Sequence, residues 1–131
     1  MLQRTGAGTG DRVPAAPFTP AVHAWILNDQ TRTDGFLAEV RLAVAPGDVV
    51  VDLGTGSGVL VVAAARAGAR RVYAVEADTI ADGTHAVFEA NGVLDRVTPV
   101  GSRSTEITLP EPADVLVAEL IGNEPLGERV L

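Results

Sequence analysis

The sequence predicts an α/β fold, in which a doubly wound parallel sheet carries helices on both faces. Two observations predict it. Short β-branched runs alternate with helical segments along most of the chain. One run, VVVDLGTGSG at residues 49–58, passes from a buried strand into a glycine loop and then into an Ala-rich helix. The fold is therefore expected to be Rossmann-like, with strand order 3-2-1-4 and an incomplete sheet.

The elements follow from periodicity and from turn residues. Residues 1–19 are rich in Gly, Thr, Ala and Pro, which predicts a flexible leader before a single domain over residues 20–131. Three predicted helices cover residues 21–28, 33–43 and 59–67. A fourth is predicted from a cap at Asp78 or Thr79 to Ala90. The predicted strands cover residues 49–53, 71–76, 96–100 and 113–119.

Pro99 supports this strand order. A proline cannot donate to a strand ladder, so strand 3 is expected at an edge, as the order 3-2-1-4 requires. Strand 4 then forms the other edge, and an apolar, bare edge favours pairing or aggregation. We therefore expect either a fragment of a longer protein, truncated at its C-terminus, or a partner or homodimer contact that covers strand 4.

Composition limits the function classes. The 131 residues include 47% apolar residues, enough for a core, and carry a formal charge of −7, which argues against direct nucleic-acid binding. The absence of cysteine excludes thiolate metal sites, and His23 and His85 form no ligand motif. With no apolar run near the ~20 residues of a membrane span and no signal peptide, no membrane association is predicted and a cytoplasmic protein is expected.

The glycine loop predicts the class of cofactor. Gly54, Gly56 and Gly58 are spaced G-x-G-x-G, whereas a dinucleotide loop usually reads G-x-G-x-x-G. Asp52, just before the loop, would repel phosphate and attract a cation. S-adenosyl-L-methionine carries a sulfonium and an ammonium and suits this loop better than NAD. Glu76, which ends strand 2, is predicted to accept hydrogen bonds from ribose hydroxyls.

The chain resembles a class I S-adenosylmethionine-dependent methyltransferase and is similar to the protein arginine methyltransferase family. Three stretches carry the resemblance: HAWILNDQTRT from His23, the cofactor loop through strand 2, and ADVLVAELIGNEPLGE after strand 3. The first resembles that family's "H-x-x-M-L-x-D-x-x-R-T" helix. The third resembles its "double-E" hairpin.

The resemblance implies a set of cofactor contacts. Arg32 would bind the carboxylate of the cofactor's methionine part, which a guanidinium suits bidentately, and His23 would line the same pocket. Asp52 and the loop backbone would hold the methionyl amino group. The adenine contact would lie after strand 3, at Arg103 and Ser104.

Glu119 and Glu128 are the predicted catalytic residues. They lie nine residues apart, as in the family hairpin, and Glu119 ends strand 4. Two carboxylates facing one pocket can hold a guanidinium through charged hydrogen bonds and orient its nitrogen for methyl transfer. The sequence lacks the Asn/Asp-Pro-Pro-Tyr motif of enzymes that methylate base amines or glutamine amides.

Several departures from the family keep the acceptor open. Trp25 stands where the family has Glu or a similar residue, and Leu120-Ile121 replaces Trp-Met. The acceptor is therefore expected to be a protein, a peptide or a small molecule. The alternative is a non-catalytic, truncated cofactor-binding or interaction module, and we expect the 131-residue chain alone to be weakly active or inactive.

Overall fold

The computed structural model of the chain describes residues 20–77 and 82–120. Its four described α-helices are α1 (Pro20–Leu27), α2 (Gln30–Ala43), α3 (Val59–Ala67) and α4 (Asp82–Ala90). The strands are β1 (Val49–Leu53), β2 (Arg71–Glu76), β3 (Val97–Gly101) and β4 (Val115–Ala118). No helix within these two ranges is long and apolar enough to cross a membrane.

The strands form one parallel sheet in the order β3-β2-β1-β4, which confirms the predicted topology. Pro99 lies on the edge strand β3, as its missing N–H requires. The strand β4 is shorter than predicted, because the regular ladder with β1 begins at Val115 and Asp114 instead bonds to Val49 partly through its side chain. Its carboxylate accepts a hydrogen bond from the Val49 N–H at 2.8 Å, and its own N–H donates to the Val49 carbonyl oxygen.

The helix α2 begins three residues earlier than predicted. Asp29 caps it, since a carboxylate oxygen accepts a hydrogen bond from the Arg32 N–H at 3.1 Å. The cap places Arg32 in the first turn of α2, close to the junction with α1. The predicted cap of α4 at Asp78 or Thr79 lies outside the described residues.

Two apolar clusters lie on opposite faces of the sheet. On one face α2, α3 and α4 pack over Val50, Val72 and Ala74, and Phe88 is fully buried there. On the other face Val51 and Val75 are covered by Ile107 and Leu109 of the segment before β4. Among residues 20–77 and 82–120, the second face is thus covered by a segment without regular secondary structure, where helices were predicted.

Candidate functional site

Three carboxylates gather at the carboxyl end of the sheet. Asp52 is near the end of β1, Glu76 ends β2, and Glu119 directly follows β4. Because β2 and β4 both pair with β1 in parallel, with Leu53 opposite Val75 and Ala118, all three acids lie at the same edge. In open α/β sheets this edge is where ligands bind.

Glu76 is held by two backbone amides. Its Oε2 atom accepts a hydrogen bond from the Gly56 N–H at 3.0 Å, and its Oε1 atom accepts one from the Ala77 N–H at 2.9 Å. The Gly54 and Thr55 N–H groups donate to the Val75 carbonyl oxygen. The glycine loop is therefore attached to the end of β2, and the Glu76 carboxylate has a defined orientation before any ligand binds.

The glycines of the loop are required by contacts within the protein. Gly56 has φ +50°, and a Cβ there would lie 2.7 Å from the His23 Cε1 atom. Gly58 has φ +79°, and a Cβ there would lie 2.6 Å from the Phe88 Cε1 atom. A Cβ at Gly54 would meet the Leu120 side chain. The structure therefore gives a different reason for this spacing from the predicted close approach of a ligand.

The first two helices bring His23 and Arg32 to the same end of the sheet. The half-buried His23 imidazole lies against Gly56. Arg32 forms an ion pair with Glu119, with its Nη2 atom 2.7 Å from the Oε2 atom, and its guanidinium lies over the Phe36 ring. The predicted carboxylate-binding residue and the predicted acceptor-binding residue are thus paired with each other.

Asp52 is a buried acid with an unsatisfied oxygen. Its side chain is 3% exposed, and its Oδ2 atom has no hydrogen-bond partner among the described residues. Burial raises the pKa of Asp52 to about 6; a Thr55 hydrogen bond lowers the pKa and the Glu76 charge raises it. A buried, unpaired carboxylate is costly unless a cation or donor completes it. Asp52 therefore fits a cationic group bound beside the loop.

The remaining predicted contacts are more peripheral. Arg103 and Ser104 are exposed in the loop after β3. The preceding Ser102 N–H donates to the Glu76 carbonyl oxygen at 3.1 Å, which brings this loop alongside the end of β2. Glu128 lies outside the described residues.

No cluster of acids and histidines that could hold a metal occurs within residues 20–77 and 82–120.

Two residues of α4 belong to the site although the sequence pattern did not single them out. The Thr84 hydroxyl donates a hydrogen bond to the Gly56 carbonyl oxygen at 3.1 Å, and Phe88 packs against Gly58. Both side chains are buried. Their four-residue spacing indicates a shared helix face, but no sequence signal tells which loop that face contacts.

A cavity of about 340 Å³ lies elsewhere, between the first four helices. Leu27, Leu37, Val62 and Val87 are among its lining residues, whereas Asp52, Glu76 and Glu119 do not line it. Its walls are mainly apolar, and Ser57 of the glycine loop is the lining residue that lies nearest in sequence to Gly56.

A family model described as "Ribosomal protein L11 methyltransferase (PrmA)" matches residues 30–126. The chain is 36% identical over 112 residues to "Probable protein arginine N-methyltransferase 6" of Arabidopsis thaliana, covering 84% of this chain and 26% of that protein. It is 38% identical over 141 residues to "Protein arginine N-methyltransferase PRMT10" of the same plant, covering 95% of this chain and 37% of that protein.

A solved structure is similar as well. It is the Trypanosoma brucei PRMT1 enzyme–prozyme heterotetrameric complex with AdoHcy, with TM-score 0.77 and 31% identity, covering 84% of this chain and 35% of that chain. The chain thus spans between about a quarter and two fifths of the length of these three proteins.

Proposed function

We propose that this chain binds S-adenosyl-L-methionine at the carboxyl end of its sheet and acts in methyl transfer to a guanidinium nitrogen. The chain belongs to the class I S-adenosylmethionine-dependent methyltransferases and is similar to their arginine-methyltransferase branch. The observation that carries the proposal is the position of Asp52, Glu76 and Glu119 at the same carboxyl edge of the sheet, where Glu76 is hydrogen-bonded to Gly56. An anionic site of this kind favours a cationic cofactor and a cationic acceptor.

Glu76, Asp52 and Arg32 would each hold a different part of the cofactor. Glu76, oriented by two backbone amides, would accept hydrogen bonds from the ribose hydroxyls. Asp52 would pair with the amino group of the methionine part, which completes its unsatisfied oxygen. Arg32 would bind the carboxylate of the same part. When bound, the cofactor supplies an electrophilic methyl group on a sulfonium, and loss of that methyl leaves a neutral thioether.

Glu119 supplies the acceptor side. A carboxylate after β4 can accept hydrogen bonds from a guanidinium and hold one nitrogen in line with the methyl group. That nitrogen forms the new C–N bond as the C–S bond breaks, and it loses a proton to solvent. The charge of Glu119 therefore favours a protein or peptide arginine over a neutral acceptor, and Glu128 is proposed as the second carboxylate by family resemblance.

Binding of S-adenosylhomocysteine, the product of transfer, tests the cofactor site. We expect isothermal titration calorimetry to show binding by the 131-residue chain and a loss of at least about tenfold in affinity for Glu76→Ala, because charged hydrogen bonds contribute ~1.5–3 kcal/mol. Glu89→Ala changes an exposed glutamate of α4 and is the matched control. Binding of NADH in place of S-adenosylhomocysteine would overturn the proposal.

Radiolabelled methyl transfer tests the acceptor. An arginine-containing peptide should accept label, whereas the same peptide with lysine in place of arginine should not. Binding without any transfer, also after mixing with a longer relative, would favour a non-catalytic interaction module instead. A homodimer or pairing through the edge strand β4, whose Leu116 is 64% exposed, is part of the proposal, as is a cytoplasmic location.

A further inference from the structure

Gly56 is the residue through which several parts of the site meet. Its N–H donates to the Glu76 carboxylate, its Cα faces the His23 ring, and its carbonyl oxygen accepts the Thr84 hydroxyl. With φ +50°, Gly56 holds a left-handed backbone conformation that residues with a side chain rarely adopt. The N–H and the C=O of Gly56 belong to successive peptide groups joined at its Cα. A hydrogen bond that holds the C=O therefore restricts the φ and ψ rotations that also set the direction of the N–H toward Glu76.

Thr84 is placed to do this from the far side of the loop. Thr84 is 6% exposed, and its hydroxyl donates a part-buried hydrogen bond to the Gly56 carbonyl oxygen at 3.1 Å. Its methyl group lies 3.1 Å from the position a Cβ would take at Gly58. The hydroxyl thus bonds to the loop at Gly56, and the methyl group lies beside Gly58, both from the same helix α4.

We infer that Thr84 is a positioning residue for cofactor binding, which acts through the Gly56 peptide to orient the Glu76 carboxylate. The inference rests on the proposed function, because it assumes that Glu76 binds the ribose. Thr84 itself touches no ligand atom in this account. Its contribution is preorganisation: with the Gly56 N–H fixed, Glu76 needs no rearrangement when the ribose hydroxyls arrive.

The test is a set of Thr84 variants with S-adenosylhomocysteine as the probe. Thr84→Val keeps the shape and removes the hydroxyl, and it should raise the dissociation constant about three- to tenfold, the scale of one lost hydrogen bond. Thr84→Ser keeps the hydroxyl and should remain within about twofold of the unmodified chain. Thr108→Val, at an exposed threonine, is the matched control and should change nothing.

A double-mutant cycle separates positioning from a purely structural role. If Thr84 acts through Gly56 on Glu76, the effect of Thr84→Val should shrink to less than about twofold in a Glu76→Ala background, which removes both acceptor oxygens. A general loosening of the fold would weaken binding equally in both backgrounds. Hydrogen exchange gives a ligand-free readout: the Gly56 amide should exchange several-fold faster in Thr84→Val, while amides of β1 keep their protection.

The outcomes distinguish the inference from the proposed function. Absence of S-adenosylhomocysteine binding by the unmodified chain contradicts the proposed function. Normal binding by Thr84→Val, or an equal loss in the Glu76→Ala background, overturns the inference alone. Thermal unfolding of each variant checks the fold, and Thr84→Ala provides a second hydroxyl deletion if the valine variant does not fold.

Discussion

Replacing Asp52 with asparagine should stabilise the ligand-free chain at neutral pH while weakening ligand binding. Asp52 is 3% exposed, and its Oδ2 atom has no hydrogen-bond partner among the described residues. Burial raises the pKa of this carboxyl from 3.8 to about 6. The charged form is therefore disfavoured in the folded state, and ionisation near pH 7 works against folding.

The size and sign of the effect follow from the two pKa values. The rise from 3.8 to about 6 is about 2 units, which corresponds to about 3 kcal/mol at ~1.4 kcal/mol per unit. Because the folded pKa of Asp52 is the higher one, its contribution to stability is fully present below pH 3.8 and is lost as the pH rises through 6. Asp52→Asn should therefore gain up to about 3 kcal/mol at pH 8 and about half of that at pH 5.

Urea unfolding at the two pH values measures this gain, with Asp95→Asn, an exposed aspartate, as the control. Calorimetry on the same samples should show S-adenosylhomocysteine binding to Asp52→Asn weakened about ten- to a hundredfold, the scale of a lost charged hydrogen bond. An Asp52→Asn chain that is less stable at pH 8, or a gain that does not depend on pH, would refute the reasoning. Such results would mean that the carboxylate is compensated within the fold.

Two further predictions concern the ion pairs. Glu119→Gln should tighten S-adenosylhomocysteine binding by up to about fivefold, because it frees Arg32 from a partly exposed ion pair of the kind that contributes ~0.2–1 kcal/mol. Calorimetry measures the change in affinity, and the gain must vanish in an Arg32→Ala background. Hydrogen bonds from Arg70 and then from Tyr73 hold the pKa of Glu111 below its ordinary 4.5, so stability is lost as the pH falls through that pKa. In Glu111→Gln, the unfolding temperature should therefore fall less steeply between about pH 5 and 3 than in the unmodified chain. Equal pH dependence of the two unfolding temperatures would contradict a stabilising role for the Arg70–Glu111 pair.

The local features of the fold could be predicted because they depend on short stretches of sequence. The bounds of β1, β2 and α3 agree with the β-branched runs and the glycines that flank them. The edge position of β3 followed from Pro99 alone. The start of α2 was missed because Asp29 was given no capping role, although a single Asp side chain satisfies the amide of Arg32 there.

Contacts between distant residues could not be read from the sequence in the same way. The Arg32–Glu119 pair and the Thr84–Gly56 hydrogen bond each join separate elements, and they depend on helix rotation and side-chain rotamers. Neither quantity leaves a period or a motif in the chain. The family resemblance implied a cofactor contact for Arg32 and an acceptor contact for Glu119, but only the side-chain positions in the structure show that the two residues pair.

The Arg32–Glu119 pair links the two halves of the proposed reaction. Arg32 cannot make the same close contact with the cofactor carboxylate and with Glu119 at full strength, and Glu119 held by Arg32 is a weaker site for an incoming cation. Cofactor binding should therefore increase the affinity of Glu119 for a guanidinium. Because coupling between two ligands is reciprocal, the acceptor should tighten cofactor binding by the same factor, up to about fivefold for a partly exposed pair. The geometry thus predicts that the cofactor and the acceptor bind cooperatively, each increasing the affinity for the other.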